Sequence, residues 1–109
     1  MSVNVEEAEK MIQQNVNNPK FKVIDVRTGL ERSLSFIPGS EHVPLSDVES
    51  RMNEFNKENT YLIYCRSGAR SQSATNTLKS HGINAINMTG GLNSWNDHNK
   101  NTESSCEIW

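Results

Sequence analysis

Apolar positions along the chain switch repeatedly between helical and strand spacing. From Val5 to Val16 the residues Ala8, Met11, Ile12 and Val16 recur at helical intervals. Glu6, Glu7, Glu9 and Lys10 fill the other face and Asn4 stands where a cap is needed, which predicts an amphipathic helix. Asn17-Asn18-Pro19-Lys20 breaks that pattern, and Phe21-Lys22-Val23-Ile24-Asp25-Val26 predicts a buried strand. From Arg27 to Pro44 no period is visible, and Gly29, Pro38, Gly39 and Pro44 predict a long connection in which Glu41-His42-Val43 forms a brief strand.

A second helix is predicted from Ser46 to near Asn56, with Asp47 and Glu49 in its first turn and Leu45, Val48, Met52 and Phe55 along one side. Tyr61-Leu62-Ile63-Tyr64 predicts a second long strand. A helix from Ser71 to Ser80 follows, with Ala74, Thr77 and Leu78 toward the core and His81-Gly82 as its stop. Ile83 to Met88 predicts a third long strand, and Gly90-Gly91-Leu92-Asn93-Ser94-Trp95 a turn into a last short helix. This alternation predicts an α/β fold, a small doubly wound parallel sheet with helices on both faces. Residues 1–97 form the expected domain. Residues 98–109, rich in Asn, Ser and charge until Cys106-Glu107-Ile108-Trp109, are expected to be a flexible polar tail.

Composition narrows the function classes. The 109 residues suffice for one domain with one modest core. No apolar run approaches the roughly 20 residues of a membrane span. The N-terminus has neither basic residues nor an apolar stretch, so a secretory signal is not expected and a cytoplasmic location is. Eleven basic and thirteen acidic residues give a net charge of -2 without a Lys/Arg cluster, which argues against nucleic-acid binding. An apolar share of 34% and fourteen Asn residues would suit disorder, but the periodicity and small net charge indicate a folded domain with a very polar surface.

The chemistry concentrates after the second long strand. In open α/β sheets ligands bind beyond the carboxyl ends of the strands, and Cys65 stands there, just before a helix. The small residues Ser67, Gly68 and Ala69 let the backbone curl so that successive N–H groups converge into an anion-binding nest around the sulfur. The helix N-terminus, Arg66 and Arg70 all favour thiolate over thiol, so the Cys65 pKa is expected below the ordinary value of about 8.5. A cysteine serving only as a buried hydrophobe has no use for two arginines and a Ser-Gly-Ala turn beside it. Thiol enzymes of the tyrosine-phosphatase type place five residues between Cys and Arg, usually after a His. Here there are four, after Tyr64, and the tighter cradle suits one extra sulfur atom better than a phosphoryl group.

Cys65-Arg66-Ser67-Gly68-Ala69-Arg70-Ser71, with Asp25-Val26-Arg27, Ile37-Pro38-Gly39, Val43-Pro44-Leu45 and Gly90-Gly91-Leu92-Asn93-Ser94-Trp95, resembles the single-domain rhodanese family over about residues 3–97. The resemblance implies a rhodanese-like α/β domain. It also implies transfer of a sulfane sulfur from a donor such as thiosulfate, through a persulfide on Cys65, to a thiophilic acceptor such as cyanide, a thiol or a protein thiol. By the same resemblance the amides of Arg66, Ser67, Gly68, Ala69, Arg70 and Ser71 hold the persulfide, and the arginine side chains attract the anionic donor. Asp25, Arg27 and Glu31 fall on family positions and are assigned to ion pairing near the loop. The Gly90-Gly91 pair is read as a tight turn with positive φ, and Trp95 as a core residue. Two departures stand out: Ser35-Phe36 replaces the usual Gly-His before Ile-Pro-Gly, and Arg32 replaces the usual aromatic residue after the acidic position.

No cofactor is implied. His42, His81 and His98 lack metal-ligand spacing, so no metal is expected. Cys106 is read as idle rather than as a thiol that resolves the persulfide, and a monomer is the default. The rival functions are a sulfur carrier or regulatory module acting with a specific protein partner, and, further off, a thiol phosphatase or arsenate reductase.

Overall fold

The computed structural model describes residues 2–98 and 100–103. Five parallel strands, β1 (Ser2–Val3), β2 (Phe21–Asp25), β3 (Glu41–His42), β4 (Thr60–Tyr64) and β5 (Asn84–Met88), form one sheet in the order β1-β5-β4-β2-β3. The helices are α1 (Val5–Gln14), α2 (Gly29–Leu34), α3 (Ala69–Ser80) and α4 (Gly91–Asp97). Side chains alternate across the sheet and build a core on each face. Ile24, Tyr61, Ile63, Cys65 and Ala85 pack with Ala74 and Leu78 of α3 and with Val48 and Phe55. Val23, Leu62, Tyr64, Ile86 and Met88 pack on the other face with Val5 and Ala8 of α1 and Leu92 and Trp95 of α4. The expected doubly wound α/β architecture is present. No helix among the described residues is long and apolar enough to cross a membrane.

Local chemistry explains the element boundaries. Asn4 and Glu7 form a reciprocal capping box at the start of α1. The helix stops short of the expected Val16 because the Asn15 side chain donates to the Met11 carbonyl at 2.7 Å, and Val16 is left 77% exposed. The connection from Arg27 to Pro44 is not structureless: Thr28 and Glu31 form a second capping box that starts α2. None of its residues is buried, so it shows no apolar period.

The helix expected from Ser46 to Asn56 is instead two short 3-10 turns, Leu45–Asp47 and Met52–Glu54. Leu45, Val48, Met52 and Phe55 still pack on the core as their spacing predicts. Ser50 Oγ donates to the Asp47 carbonyl, a local bond that competes with α-helical pairing. In α3 the buried side chains are Ser71, Ala74, Thr75 and Leu78, with Thr77 only half-buried.

The segment after α4 is attached where it is described. Trp95 Nε1 donates to the Asn101 carbonyl at 2.8 Å, and Phe36 and Glu103 exchange two backbone hydrogen bonds in an antiparallel bridge. The expectations for Cys106 and for Ile108-Trp109 lie outside the described residues.

Candidate active site

Strand β4 ends at Tyr64 in the middle of the sheet, and Cys65 follows at its carboxyl end with no exposed surface. The chain must then turn back into α3 within a few residues. Gly68 makes that turn with φ 103°, a conformation costly for any residue with a Cβ. The loop carbonyls are committed to partners away from the sulfur. Leu92 N–H donates to the Cys65 carbonyl at 2.8 Å and Asn93 N–H to that of Arg66 at 2.9 Å. The Gly68 carbonyl accepts from Gln72 N–H, Ser71 Oγ and Asn87 Nδ2 at 3.0, 3.1 and 3.3 Å. With these carbonyls held, amides of the loop are free to face inward.

Three donors converge on Cys65 Sγ: Gly68 N–H at 3.1 Å, Ser71 N–H at 3.3 Å and Ser71 Oγ at 3.3 Å. Burial alone pushes the thiol up. The Ser71 hydroxyl and the amides of Ser71, Gly68 and Ser67 outweigh it, and the Cys65 pKa lies below its ordinary value. The loop donors thus favour the thiolate form of Cys65 against its burial.

Helix α4 approaches this loop as closely as a backbone can. A Cβ on Gly91 would lie 2.5 Å from the Arg66 carbonyl oxygen, and Gly91 has φ 59°. Gly90, at φ 77°, makes the preceding turn. The Gly-Gly pair is thus the positive-φ turn expected, and it is also what lets the Leu92 and Asn93 amides reach the cysteine loop.

The loop arginines turn toward α2. Arg70 holds Glu31 with two parallel bonds, Nη1 to Oε1 at 2.7 Å and Nη2 to Oε2 at 2.8 Å. Arg66 Nε donates to Glu31 Oε2 at 3.3 Å. The Arg70 pair is the main cause of a Glu31 carboxyl held far below the usual carboxylate range, and the Thr28 cap adds to it against some burial. Ser67 and Ala69, also singled out from sequence, present exposed side chains and contribute backbone to the turn.

A family profile for the rhodanese-like domain matches residues 4–98. The chain belongs to that family. A sulfurtransferase of Allochromatium vinosum is 33% identical over 97 residues, covering 88% of this chain and 91% of the relative. YrkF of Bacillus subtilis, a proposed sulfur carrier protein, is 38% identical over 80 residues. That match takes in 72% of this chain but 43% of YrkF, so the chain spans under half the length of that relative. The crystal structure of a rhodanese-like domain protein from Staphylococcus aureus has a TM-score of 0.80 at 29% identity, over 96% of this chain and 98% of the other.

Behind the loop, this rhodanese-like domain buries a polar network. Asp25, with no exposed surface, accepts from Arg27 N–H, Nε and Nη2 at 2.9, 3.0 and 2.8 Å, and from the Tyr64 hydroxyl at 3.2 Å. Tyr64 OH accepts from Ile37 N–H at 3.1 Å, joining the strand before the cysteine to the Ile-Pro-Gly segment. Its hydroxyl pKa is raised, first by burial and then by Asp25. Arg32, one of the two departures from the family pattern, donates to the Ser40 hydroxyl and carbonyl.

Asn87 was not visible as a site residue from sequence. Its signal was an amide inside an apolar strand, a buried polar group that requires partners, and its Nδ2 donates to the Gly68 carbonyl of the cysteine loop at 3.3 Å and to Gln72 Oε1 at 3.2 Å. His42, His81 and His98 each bond a backbone carbonyl, those of Arg27, Thr77 and Ser94. Among the described residues no three His, Cys, Asp or Glu side chains gather where a metal ion could sit.

Proposed function

We propose that this chain is a sulfurtransferase that carries a sulfane sulfur on Cys65, with thiosulfate or a persulfide as donor and a thiol, protein thiol or cyanide as acceptor. The observation that carries this reading is the convergence of Gly68 N–H, Ser71 N–H and Ser71 Oγ on Cys65 Sγ, in a loop with four residues between Cys65 and Arg70. The Cys65 thiolate attacks the outer sulfur of thiosulfate, the S–S bond breaks, and sulfite leaves with the electron pair. The sulfur stays on Cys65 as a persulfide anion. An acceptor thiolate then attacks that terminal sulfur, and the Cys65 thiolate departs. Each half-reaction exchanges one anion for another, so no general base is needed, and the loop amides stabilise negative charge on sulfur throughout. Arg66 and Arg70 draw in the anionic donor, and Ser67 and Ala69 give the loop its tight curvature.

A second reading takes the chain as a sulfur carrier that loads Cys65 from one protein and unloads it to another. The relative YrkF, by its name, favours it. Intact-protein mass spectrometry after incubation with thiosulfate tests the first reading. A gain of about 32 Da that is lost in Cys65→Ser and kept in Cys106→Ser is the expected result. No gain in folded, reduced protein overturns thiosulfate as donor. A gain accompanied by kcat/KM far below about 10⁴ M⁻¹s⁻¹ favours the carrier.

A further inference from the structure

Glu31 faces both arginines of the cysteine loop. Its two oxygens take both Nη groups of Arg70 and the Nε of Arg66, the same donors an oxyanion would use. The two arginines are held unequally. Arg70 has a bidentate grip with short bonds, whereas Arg66 makes one 3.3 Å contact and its side chain is 60% exposed. A cavity of about 210 Å³ opens against Glu31 and Arg66, rimmed by Leu34, Ser35, Asn93 and Asn96. The helix that carries Glu31 buries none of its residues, and Leu30 and Leu34 are 75% and 57% exposed. Burial of apolar residues of α2 therefore does little to hold the carboxylate over the loop, and its bonds to Arg70, Arg66 and the Thr28 cap hold it there.

We propose that Glu31 is a specificity-determining residue, an internal counter-anion that an incoming anionic substrate exchanges with at Arg66, and that it sets how strongly the site prefers anionic over neutral reactants. Arg70 stays bound to Glu31 and anchors α2, while Arg66 leaves it to bind the substrate in the adjoining cavity. Two guanidinium charges less one carboxylate leave a single net positive charge beside Cys65. The acceptor and donor roles assigned to this chain rest on the sulfurtransferase reading, but the electrostatic role of Glu31 is measurable without it.

The test compares alkylation of Cys65 by iodoacetate and by iodoacetamide, two reagents of nearly equal size of which the first is anionic and the second neutral, so that their rate ratio cancels access to the enclosed sulfur. Glu31→Gln removes the charge and keeps the third position of the capping box, where Gln serves as well as Glu. The iodoacetate-to-iodoacetamide ratio is expected to rise on the order of five-fold in E31Q at low salt, and less at high salt. Glu31→Asp, which keeps the charge but withdraws it by one methylene, is expected to give a smaller rise. The thiosulfate KM should fall by a similar factor, with the change on KM rather than kcat. A ratio unchanged or lowered in whichever variant folds overturns the proposal. A raised ratio in a protein that gains no sulfur from thiosulfate upholds the role of Glu31 and overturns the donor assignment instead.

Discussion

The guanidinium of Arg32 lies over the ring of Phe36, with 4.1 Å between its central carbon and the ring centroid. Arg32 and the Ser35-Phe36 pair are where the sequence departs from the pattern of the family it resembles, and this stack joins them. Arg32 also reaches Ser40, and Phe36 bridges to Glu103, so the pair ties α2, the Ile-Pro-Gly segment and the chain beyond α4 together. A double-mutant cycle of Arg32→Ala and Phe36→Ala, read by urea denaturation, is expected to give a coupling energy of about 0.5–1 kcal/mol. Strict additivity would mean that the stacking contributes nothing.

Ser71 supplies two of the three hydrogen bonds to the sulfur. Ser71→Ala removes the hydroxyl and leaves the amide, so the pH midpoint for alkylation of Cys65 should move upward toward the ordinary thiol value of about 8.5. The same shift bears on stability. The native Cys65 pKa lies below that of the unfolded chain, so between the two values the unfolded state binds more protons and stability rises with pH. The contribution is complete above about 8.5 and disappears as pH falls through the native value. In wild type the unfolding free energy should climb across that window. In Ser71→Ala the climb should be smaller.

Glycines with similar backbone angles are not equivalent. Gly91 and Gly39 both have positive φ, at 59° and 80°. Nothing lies within 4 Å of a Cβ built on Gly39, whereas one on Gly91 would strike the Arg66 and Cys65 carbonyls. Gly39→Ala is expected to cost about 1–2 kcal/mol from φ alone. Gly91→Ala should cost more than that and should also slow Cys65 alkylation, because α4 must retreat from the loop. Equal melting temperatures for the two variants would contradict this.

The buried pair of Asp25 and Arg27 is tolerable only as a pair. Arg27 is 3% exposed, and its bonds to Asp25 supply most of its compensation. Asp25→Asn leaves the guanidinium buried beside a neutral amide, and chemical denaturation should register a loss of about 3–5 kcal/mol. A loss below about 1 kcal/mol would show that the Ser35 carbonyl and the Tyr64 ring suffice to hold Arg27.

What could be read from sequence follows the range of the interactions involved. The long strands β2, β4 and β5 stood out because both faces of the sheet are covered and their apolar runs are nearly continuous. The cysteine loop was legible because its donors, Gly68 and Ser71, lie within the same short stretch as Cys65. The elements that hold its carbonyls were not, since Asn87, Leu92 and Asn93 come from a different strand and helix. Helix α2 was missed because Leu30 and Leu34 face solvent, although Thr28 and Glu31 carried its capping signature. The Ser46 to Asn56 segment had a helical pattern of apolar residues that two 3-10 turns satisfy equally well, since both place Leu45, Val48, Met52 and Phe55 on the core. Strand β1, two residues long, is too short to show any period.

The dependence of the Cys65 loop on α4 also orders events during synthesis. The Leu92 and Asn93 amides that hold the loop carbonyls, and the strand β5 that carries Asn87, are all made after the cysteine itself. Strand β1 likewise waits for β5, its one neighbour in the sheet among the described residues, before it can pair. Until the polypeptide has been extended past Asn93, the loop around Cys65 lacks the amides that hold its carbonyls. The environment that lowers the Cys65 pKa is therefore complete only once β5 and α4 have joined the sheet and the loop.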